Sequence, residues 1–329
     1  MAFMMRFALA LALTAATAGA ASAQPAATDA KWPDRPLRFI VPLPAGAAAD
    51  TVARMIGQRL SVRLGQPVII ENRAGASGSI GTDAVAKAAP DGYTLGLATS
   101  TTHITAPILN PKLPYDPVKD FAPVAIVGIS PYVLVINPNL PAKNVAELIA
   151  LAKAKPKTLS YSSVGNASQA HLSGELFSHM AGVTLNHIPY KSSTQAVIDL
   201  TEGRIDMQFG ILGTSLALVR GGKLRALATT TEQRTEDLPD VPTMAEAGLP
   251  GFEASLVFAV VLPAATPAPI VTLLNREISD IMAAPEVKRA LAAQAIYATS
   301  STPAELGARI RKEIELWSGL AKKAGIRAE

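Results

Sequence analysis

Cysteine is absent from the 329 residues, which excludes disulfide bonds, cysteine-ligated metals and thiol catalysis. It also excludes a lipid-modified cysteine behind an export signal. Aromatic residues make up only 5% of the chain, and 30 basic against 26 acidic residues leave a net charge of +4. Such a small, scattered basic excess with few aromatic residues does not support nucleic-acid binding.

Motifs of common enzymes are also missing. The sequence contains no G-x-x-x-x-G-K phosphate loop, no G-x-S-x-G nucleophile elbow and no H-E-x-x-H zinc motif. A glycine-rich stretch ends in Gly78-x-x-Gly81, but Ala76 stands where a dinucleotide loop needs its first glycine. The four histidines have no metal-ligand spacing, since His171 and His179 are too far apart on one predicted helix to hold one ion. We therefore expect no cofactor, no metal and no catalytic residues.

The first 23 residues have the pattern of an export signal. Arg6 supplies the positive start, residues 7–15 form an apolar run, and Ala21-Ser22-Ala23 is a small-residue cleavage site. The apolar run is too short to span about 30 Å of hydrocarbon. The sequence therefore predicts a signal peptide over residues 1–23 and a periplasmic location.

A strand, a turn and a helix follow one another at the start of the remaining chain. The alternation of Leu37–Val41 is typical of a strand, which Pro42 and Pro44 end because proline cannot donate to the ladder. Residues 45–49 are alanine and glycine, so a ligand can approach their N–H groups before a helix predicted over residues 51–64. The unpaired N–H groups at a helix start carry the positive end of its dipole. This turn is therefore a candidate carboxylate site.

Strand and helix patterns alternate over residues 37–98, which indicates a parallel α/β sheet. Thr99-Ser100-Thr101-Thr102-His103 is then predicted as a hydroxyl-rich loop at the carboxyl end of a strand, where open α/β sheets bind ligands. An ordinary Ser/Thr loop that caps the next helix fits these residues equally well.

A second α/β unit follows a long apolar run over Phe121–Ile136, which is interrupted by Pro131 and is long enough to cross between domains. A similar run over residues 253–263 predicts the return crossing, and the helices after residue 270 are predicted to pack on the first domain. Between the crossings, a loop around Gly165 follows a strand and precedes an amphipathic helix. Ser168 is the natural N-cap of that helix, and the loop repeats the anion-binding device of the first unit.

The motifs PLPAGAAAD, PVIIENRAGASGSIGTDAVAKAAPDGYTL, YSSVGNASQAHLSGELF and NHIPYKSSTQAVIDLTEGRIDMQF resemble the tripartite tricarboxylate transporter receptors, the Bug or TctC-type periplasmic solute-binding proteins. The resemblance covers almost all of the chain after its first thirty residues. It implies an α/β, type II-like two-domain clamshell with a ligand cleft between domains joined by two crossover segments. The domains would be residues 32–130 plus 253–329, and residues 131–252.

The resemblance also implies which residues line the cleft. On the first domain they would be Leu43, Ala45, Gly46, Ala47, Asp50, Ser100 and His103. On the second they would be Gly165, Asn166, Ser168, His171, Tyr190, Lys191 and Gly210. For Asp50 we favour a role in holding the turn. Lys191 is either a charge partner for a carboxylate or a solvated lysine at a strand end.

This chain departs from the family pattern at several of these positions. Leu43 replaces an aromatic residue, while Ala47 and Ser192 replace glycines, so backbone access is tighter. Gly210 stands where members that take amino acids tend to have an acidic residue. A buried ammonium without that partner costs roughly 3–5 kcal/mol. We therefore predict a carboxylate ligand without an amino group: a dicarboxylate, a tricarboxylate or an aromatic carboxylate.

Two functions of different classes fit the sequence. The first is a monomeric periplasmic receptor that closes over a small carboxylate and serves TctA/TctB-type membrane subunits or a sensor. The alternative is a secreted two-domain hydrolase or isomerase. A receptor releases its ligand chemically unchanged, whereas an enzyme converts it, and this difference distinguishes the two functions.

Overall fold

The computed structural model describes residues 32–110, 112–166, 168–190 and 192–324. The signal peptide predicted over residues 1–23 lies outside the described residues. The described residues from Arg35 onward form one compact unit.

Helices and strands alternate along most of this unit. The strands are β1 (Leu37–Val41), β2 (Val68–Asn72), β3 (Thr94–Thr99), β4 (Phe121–Ile136), β5 (Ser160–Ser163), β6 (Asn186–Pro189), β7 (Met207–Ile211), β8 (Arg225–Thr229), β9 (Ser255–Pro263) and β10 (Tyr297–Ala298). The helices are α1 (Ala48–Leu64), α2 (Ser79–Ala86), α3 (Ala106–Leu109), α4 (Val145–Ala154), α5 (Gln169–Ala181), α6 (Ser193–Thr201), α7 (Leu212–Arg220), α8 (Ala268–Ala283), α9 (Pro285–Ala292) and α10 (Pro303–Ala324).

Helix ends follow the residues that stand there. Helix α1 begins at Ala48, earlier than the predicted residue 51, because alanine is the best helix former and Asp50 in the first turn favours the dipole. It ends at Leu64 and is followed by Gly65, whose φ of 69° is a left-handed conformation that costs glycine little. Helix α4 begins after Asn144, whose side chain accepts a hydrogen bond from the Glu147 N–H.

The sheet consists of two halves that share strand β4. In the first half-sheet, strands β2, β1 and β3 are parallel neighbours in that order. Strand β9 then pairs antiparallel with β3 on one side and with residues 121–131 of β4 on the other. The short strand β10 also pairs antiparallel with β4. In the second half-sheet, residues 132–136 of β4 pair with β7 and β8, while β7, β5 and β6 are parallel.

The long apolar run is one continuous strand that passes from the first half-sheet into the second, as its length allows. Pro131 is accommodated because it lies at the junction, opposite Ser255 of β9, where β4 changes partners. The predicted return differs in detail, since strand β9 lies wholly in the first half-sheet. The chain leaves the second half-sheet just before it, where the Ala254 N–H donates to the Thr230 carbonyl at 3.1 Å. The domain boundaries themselves stay a prediction.

The largest fully buried side chains include Trp317 of α10 together with Phe177 of α5 and with Tyr161 and Phe209 of the second half-sheet. All four belong to one hydrophobic cluster. Helix α8 packs on β4 and α1, as predicted for the helices after residue 270. Helix α10 packs on β4 but also on α5, the helix that follows β5 of the second half-sheet.

Candidate functional site

The carboxyl ends of strands from both half-sheets meet at the junction in β4. In the first half-sheet, the last residue of β3, Thr99, lies opposite Phe258, while the neighbouring residue Val257 lies opposite Ile129 of β4. In the second half-sheet, the last residue of β7, Ile211, lies opposite Tyr132 of β4. Strands β1 and β2 run parallel to β3, so the loops that follow them lie at the same edge of the first half-sheet as the end of β3. Strands β5 and β6 run parallel to β7, so the loops that follow them lie at the same edge of the second half-sheet as the end of β7. The topology therefore directs the two predicted anion loops toward the same junction, one from each half-sheet.

The turn between β1 and α1 exposes backbone, as its small residues predict. Ala45 and Gly46 are exposed, while Leu43 and Ala47 are partly buried. Gly46 has a φ of +83°, and there is nothing within 4 Å of the position that a Cβ would occupy. Ala47 is the N-cap of α1 and makes no side-chain cap hydrogen bond. The start of α1 is thus suited to an external acceptor such as a carboxylate.

A buried carboxylate holds this turn. Asp50 is 3% exposed, and its Oδ2 accepts hydrogen bonds from the Gly46 N–H and the Arg54 Nε, each at 2.9 Å. Its Oδ1 accepts from Asn72 Nδ2 at 2.9 Å, and the same Nδ2 contacts the Leu43 carbonyl at 3.1 Å. Burial raises the pKa of Asp50, but these hydrogen bonds outweigh it and leave the pKa below its usual value. The structural role favoured for Asp50 fits this geometry.

Asn72 is a residue of this site that sequence reasoning missed. It is the last residue of β2 and lies opposite Val41, the last residue of β1. The motif ENR at the end of the second strand contains this residue, but only the strand register shows which turn Asn72 holds.

The hydroxyl-rich segment after β3 is not a loop, contrary to the prediction. Thr101–Thr105 form a π-helical turn that runs directly into α3. Its hydroxyls support the helix: Thr102 Oγ1 accepts from the Thr99 N–H at 3.1 Å, and Thr105 Oγ1 donates to the Thr101 carbonyl at 3.1 Å. Short polar side chains that bond to nearby backbone explain why this segment can turn so tightly.

Ser100 and His103 are both buried in this segment. Ser100 Oγ donates to the Ser255 carbonyl at 3.2 Å and accepts from the Val257 N–H at 2.9 Å, which ties the end of β3 to β9. His103 is 2% exposed, and its Nδ1 is 2.9 Å from Thr102 Oγ1. Burial lowers the pKa of His103 to about 3, so this imidazole is neutral at physiological pH. Their contact with a ligand stays a prediction.

The loop between β5 and α5 is held by its serines. Ser168 caps α5 as predicted, since its Oγ accepts from the His171 N–H at 3.3 Å and contacts the Gly165 carbonyl at 2.9 Å. Ser163 Oγ contacts the Gly165 carbonyl at 2.8 Å and His187 Nε2 at 2.7 Å. Gly165 has a φ of +111°, a conformation that requires glycine. Asn166, beside it, is exposed.

Two histidines stack beneath this loop, a contact that sequence reasoning did not foresee. The rings of His171 and His187 are 3.8 Å apart at an angle of 6°, and Tyr161 stacks on His187 at 4.9 Å. Burial lowers the pKa of both imidazoles to about 4, with a further contribution from His187 for His171. The stack is therefore neutral at pH 7. Among the described residues, no group of three or more His, Asp or Glu side chains is arranged to hold a metal ion.

The remaining predicted residues follow β6 and end β7. Tyr190 is partly buried, and its hydroxyl donates to Asp199 Oδ2 at 2.6 Å, while Lys191 lies outside the described residues. Gly210 is buried in β7, and a Cβ there would lie 2.5 Å from Ser215 Oγ and 3.7 Å from Gln208 Oε1. The side chains around Gly210 are thus polar and neutral.

Comparison with known proteins identifies the family of this chain. Residues 52–326 match the model of the tripartite tricarboxylate transporter family receptor, TctC. The chain belongs to this receptor family. The resemblance stated from the motifs is confirmed.

Similar proteins extend over nearly the whole chain. Protein BugT of Bordetella pertussis is 42% identical over 323 residues, which cover 98% of each chain. An R. palustris protein, Rpa4515, solved with adipate is 37% identical with a TM-score of 0.74, covering 91% of this chain and 100% of that one. MatC from Rhodopseudomonas palustris with bound malate is 32% identical with a TM-score of 0.70, covering 88% of this chain and 99% of that one.

These relatives confirm the fold class, an α/β periplasmic solute-binding protein. The family and its solved members are substrate-binding receptors and not enzymes, so the receptor interpretation is confirmed over the hydrolase or isomerase alternative. None of the helices within the described ranges is both long and apolar enough to cross a membrane.

Proposed function

We propose that this TctC-type receptor captures a small carboxylate without an amino group between the β1–α1 turn and the β5–α5 loop. The observation that supports the proposal is that both loops follow strands that run toward the β4 junction, and each loop leads into the N-terminus of a long helix. One carboxylate end would accept from the first N–H groups of α1, whose N-cap has no side-chain acceptor. The relatives solved with adipate and malate support an aliphatic dicarboxylate within this class.

The surroundings of Gly210 support a ligand without an ammonium group. An acidic side chain at position 210 would need space that Ser215 Oγ already fills, 2.5 Å from the Cβ position. Gln208 and Ser215 beside it carry no charge that would compensate a buried cation. The predicted preference against glutamate and aspartate therefore rests on the lack of a counter-charge among these neighbours.

We propose that closure about the β4 junction presents the loaded receptor to membrane subunits of a tripartite tricarboxylate transporter or to a sensor, after export to the periplasm through residues 1–23. Cell fractionation tests the location. Uptake of the labelled ligand in a strain lacking the gene, with and without the intact chain, separates transport from sensing.

A thermal-shift panel on unfolded and refolded protein tests the ligand class. The panel contains adipate, malate, citrate, benzoate, glutamate, aspartate and glucose. A ligand at a hundredfold excess over its dissociation constant adds about 2.7 kcal/mol of stability. We expect a shift with carboxylates that lack an amino group. A shift only with glucose or with the amino acids would refute the proposal, as would no shift at all.

A proline substitution tests the contact with α1. Ala48→Pro deletes the N–H of the first residue of α1, a position that proline tolerates, after an Ala47 whose ψ of 160° suits a following proline. We expect weaker carboxylate binding with little change in the free energy of unfolding. Ala268→Pro makes the same change at the first residue of α8, away from the junction, and is expected to bind as the wild type does.

A further inference from the structure

Arg309 of α10 forms a charged cluster with Glu253 and Glu313. Its Nε contacts Glu313 Oε1 at 2.5 Å, and its second guanidinium nitrogen contacts Glu253 Oε1 at 2.8 Å and Ser255 Oγ at 3.2 Å. The Arg309 side chain is only 24% exposed. Glu253 and Ser255 belong to the segment that returns from the second half-sheet into β9. Arg309 therefore fastens the C-terminal helix to the start of this strand.

Ser255 connects this cluster to the segment after β3. The Ser255 hydroxyl accepts from Arg309, and the Ser255 carbonyl accepts from Ser100 Oγ at 3.2 Å. Ser100 Oγ in turn accepts from the Val257 N–H at 2.9 Å. A continuous chain of contacts thus leads from α10 through one residue of β9 to Ser100.

A small cavity lies between α10, β9 and the segment after β3. It has a volume of about 20 Å³, and its lining includes Ser100, His103, Arg309 and Glu313. Because Arg309 and His103 line the same space, a change at Arg309 alters the surroundings of the His103 turn as well as the contact with Ser255.

We propose that Arg309 is a positioning residue for the candidate ligand segment Ser100–His103, acting through Ser255 at the β4 junction. This inference rests on the proposed function, since it assigns Arg309 a role in the same site without contact with the ligand. The planar guanidinium serves three acceptors on two elements, which a single ammonium cannot match in direction. The directions of the guanidinium N–H groups, more than their positive charge, therefore position the segment.

Two conservative variants separate positioning from general stabilisation. Arg309→Lys keeps a positive charge near Glu253 and Glu313 but loses the fork, and Ser255→Ala removes only the hydroxyl that Arg309 contacts. Neither leaves a buried carboxylate without a cation nearby, so both are expected to fold. Arg311→Lys is the matched control, because Arg311 is an exposed arginine on the same helix.

Amide hydrogen exchange on the ligand-free protein is the first measurement. We expect exchange at residues 99–103 and at Val257 to be roughly tenfold faster in both variants, with β1 and β2 unchanged and the control like the wild type. Unchanged exchange at residues 99–103 in both variants would overturn the proposal. So would an equal increase throughout the protein, because that is the result of a merely structural ion cluster.

Ligand affinity is the second measurement, with adipate and malate as probes. For a probe that binds the wild type, we expect Arg309→Lys to raise the dissociation constant about tenfold, close to 1.4 kcal/mol, and Arg311→Lys to leave it unchanged. Equal affinity of Arg309→Lys and wild type would overturn the positioning role. If the wild type binds no carboxylate, the proposed function fails, while the exchange result still decides whether Arg309 holds the segment.

Discussion

Replacing Asp50 with asparagine removes the carboxylate that holds the β1–α1 turn while keeping its size. In the native turn one carboxylate oxygen accepts from the Gly46 N–H and Arg54, and the other accepts from Asn72. An asparagine side chain has one acceptor oxygen and one amide group. The NH₂ group of the new asparagine would therefore face at least one N–H donor, and the most favourable rotamer turns this group toward Asn72 Nδ2. Asn72 cannot simply flip, because its Nδ2 also contacts the Leu43 carbonyl and its Oδ1 accepts from Arg54.

The cost follows from these contacts. A hydrogen bond to a charged group contributes about 1.5–3 kcal/mol to stability. The ion pair with Arg54 adds only about 0.2–1 kcal/mol, because the Arg54 side chain is 54% exposed. We therefore expect Asp50→Asn to lower the free energy of unfolding by roughly 2–3 kcal/mol. The Gly46 turn should also loosen, which weakens carboxylate binding.

Urea unfolding at pH 7 measures the first effect, and titration with adipate or malate measures the second. Asp280→Asn is the matched control, since Asp280 pairs with one arginine and its side chain is 55% exposed. We expect the control to lie within about 0.5 kcal/mol of the wild type. If Asp50→Asn changes stability no more than the control does, the carboxylate does not hold the turn and the reasoning is refuted.

Two further predictions concern one charge and one close contact. Hydrogen bonds from Arg38, opposed by burial, lower the pKa of Glu71 from 4.5 to about 2. Ionised Glu71 therefore stabilises the folded protein fully above pH 4.5, and this contribution is lost as the pH falls toward 2. The Arg38 side chain is 42% exposed, so solvent weakens this ion pair, and we expect Glu71→Gln to reduce the acid-dependent loss of stability by only about 1–2 kcal/mol. The variant should therefore show a flatter curve of unfolding free energy against pH than the wild type. Curves of equal slope would contradict this prediction. Gly174→Ala places a Cβ 2.2 Å from Tyr161 Cε2 and should cost about 1–3 kcal/mol in urea unfolding. Gly319→Ala, a helical glycine with nothing within 4 Å, is the control and should be neutral or stabilising. Equal stabilities of the two alanine variants would contradict the predicted clash.

Local chemistry explains the parts of the fold that could be predicted from the sequence. The strand Leu37–Val41 follows from its alternation and the prolines after it, and the Ser168 cap follows from a serine before an amphipathic helix. Each of these signals acts over a few residues. Such signals do not depend on which strands become neighbours.

The segment after β3 shows where local chemistry leaves two answers. Thr102 and Thr105 bond to backbone atoms close to them in sequence, which is equally compatible with a loop and with a tight helical turn. Packing decides between them: His103 is enclosed beside Phe121, with ring centroids 4.7 Å apart, and Tyr115 donates to the Thr102 carbonyl at 2.7 Å. Neither contact has a signal in the residues 99–103.

The same physical reason explains why Asn72 and His187, which support the two candidate loops from neighbouring strands, could not be predicted, although the local roles of Asp50 and Ser168 could. The β1–α1 turn is held by Asn72 of β2, and the β5–α5 loop by His187 of β6, through Ser163. In each half-sheet the holding residue comes from the parallel strand beside the one that leads into the loop. Its position depends on register, with Val41 opposite Asn72 and Tyr161 opposite His187. A slip of one residue would turn either side chain to the other face of the sheet and leave its loop without support. The geometry of the proposed carboxylate site is therefore a property of the assembled sheet, and the motifs that resemble the receptor family are short stretches whose function depends on that assembly.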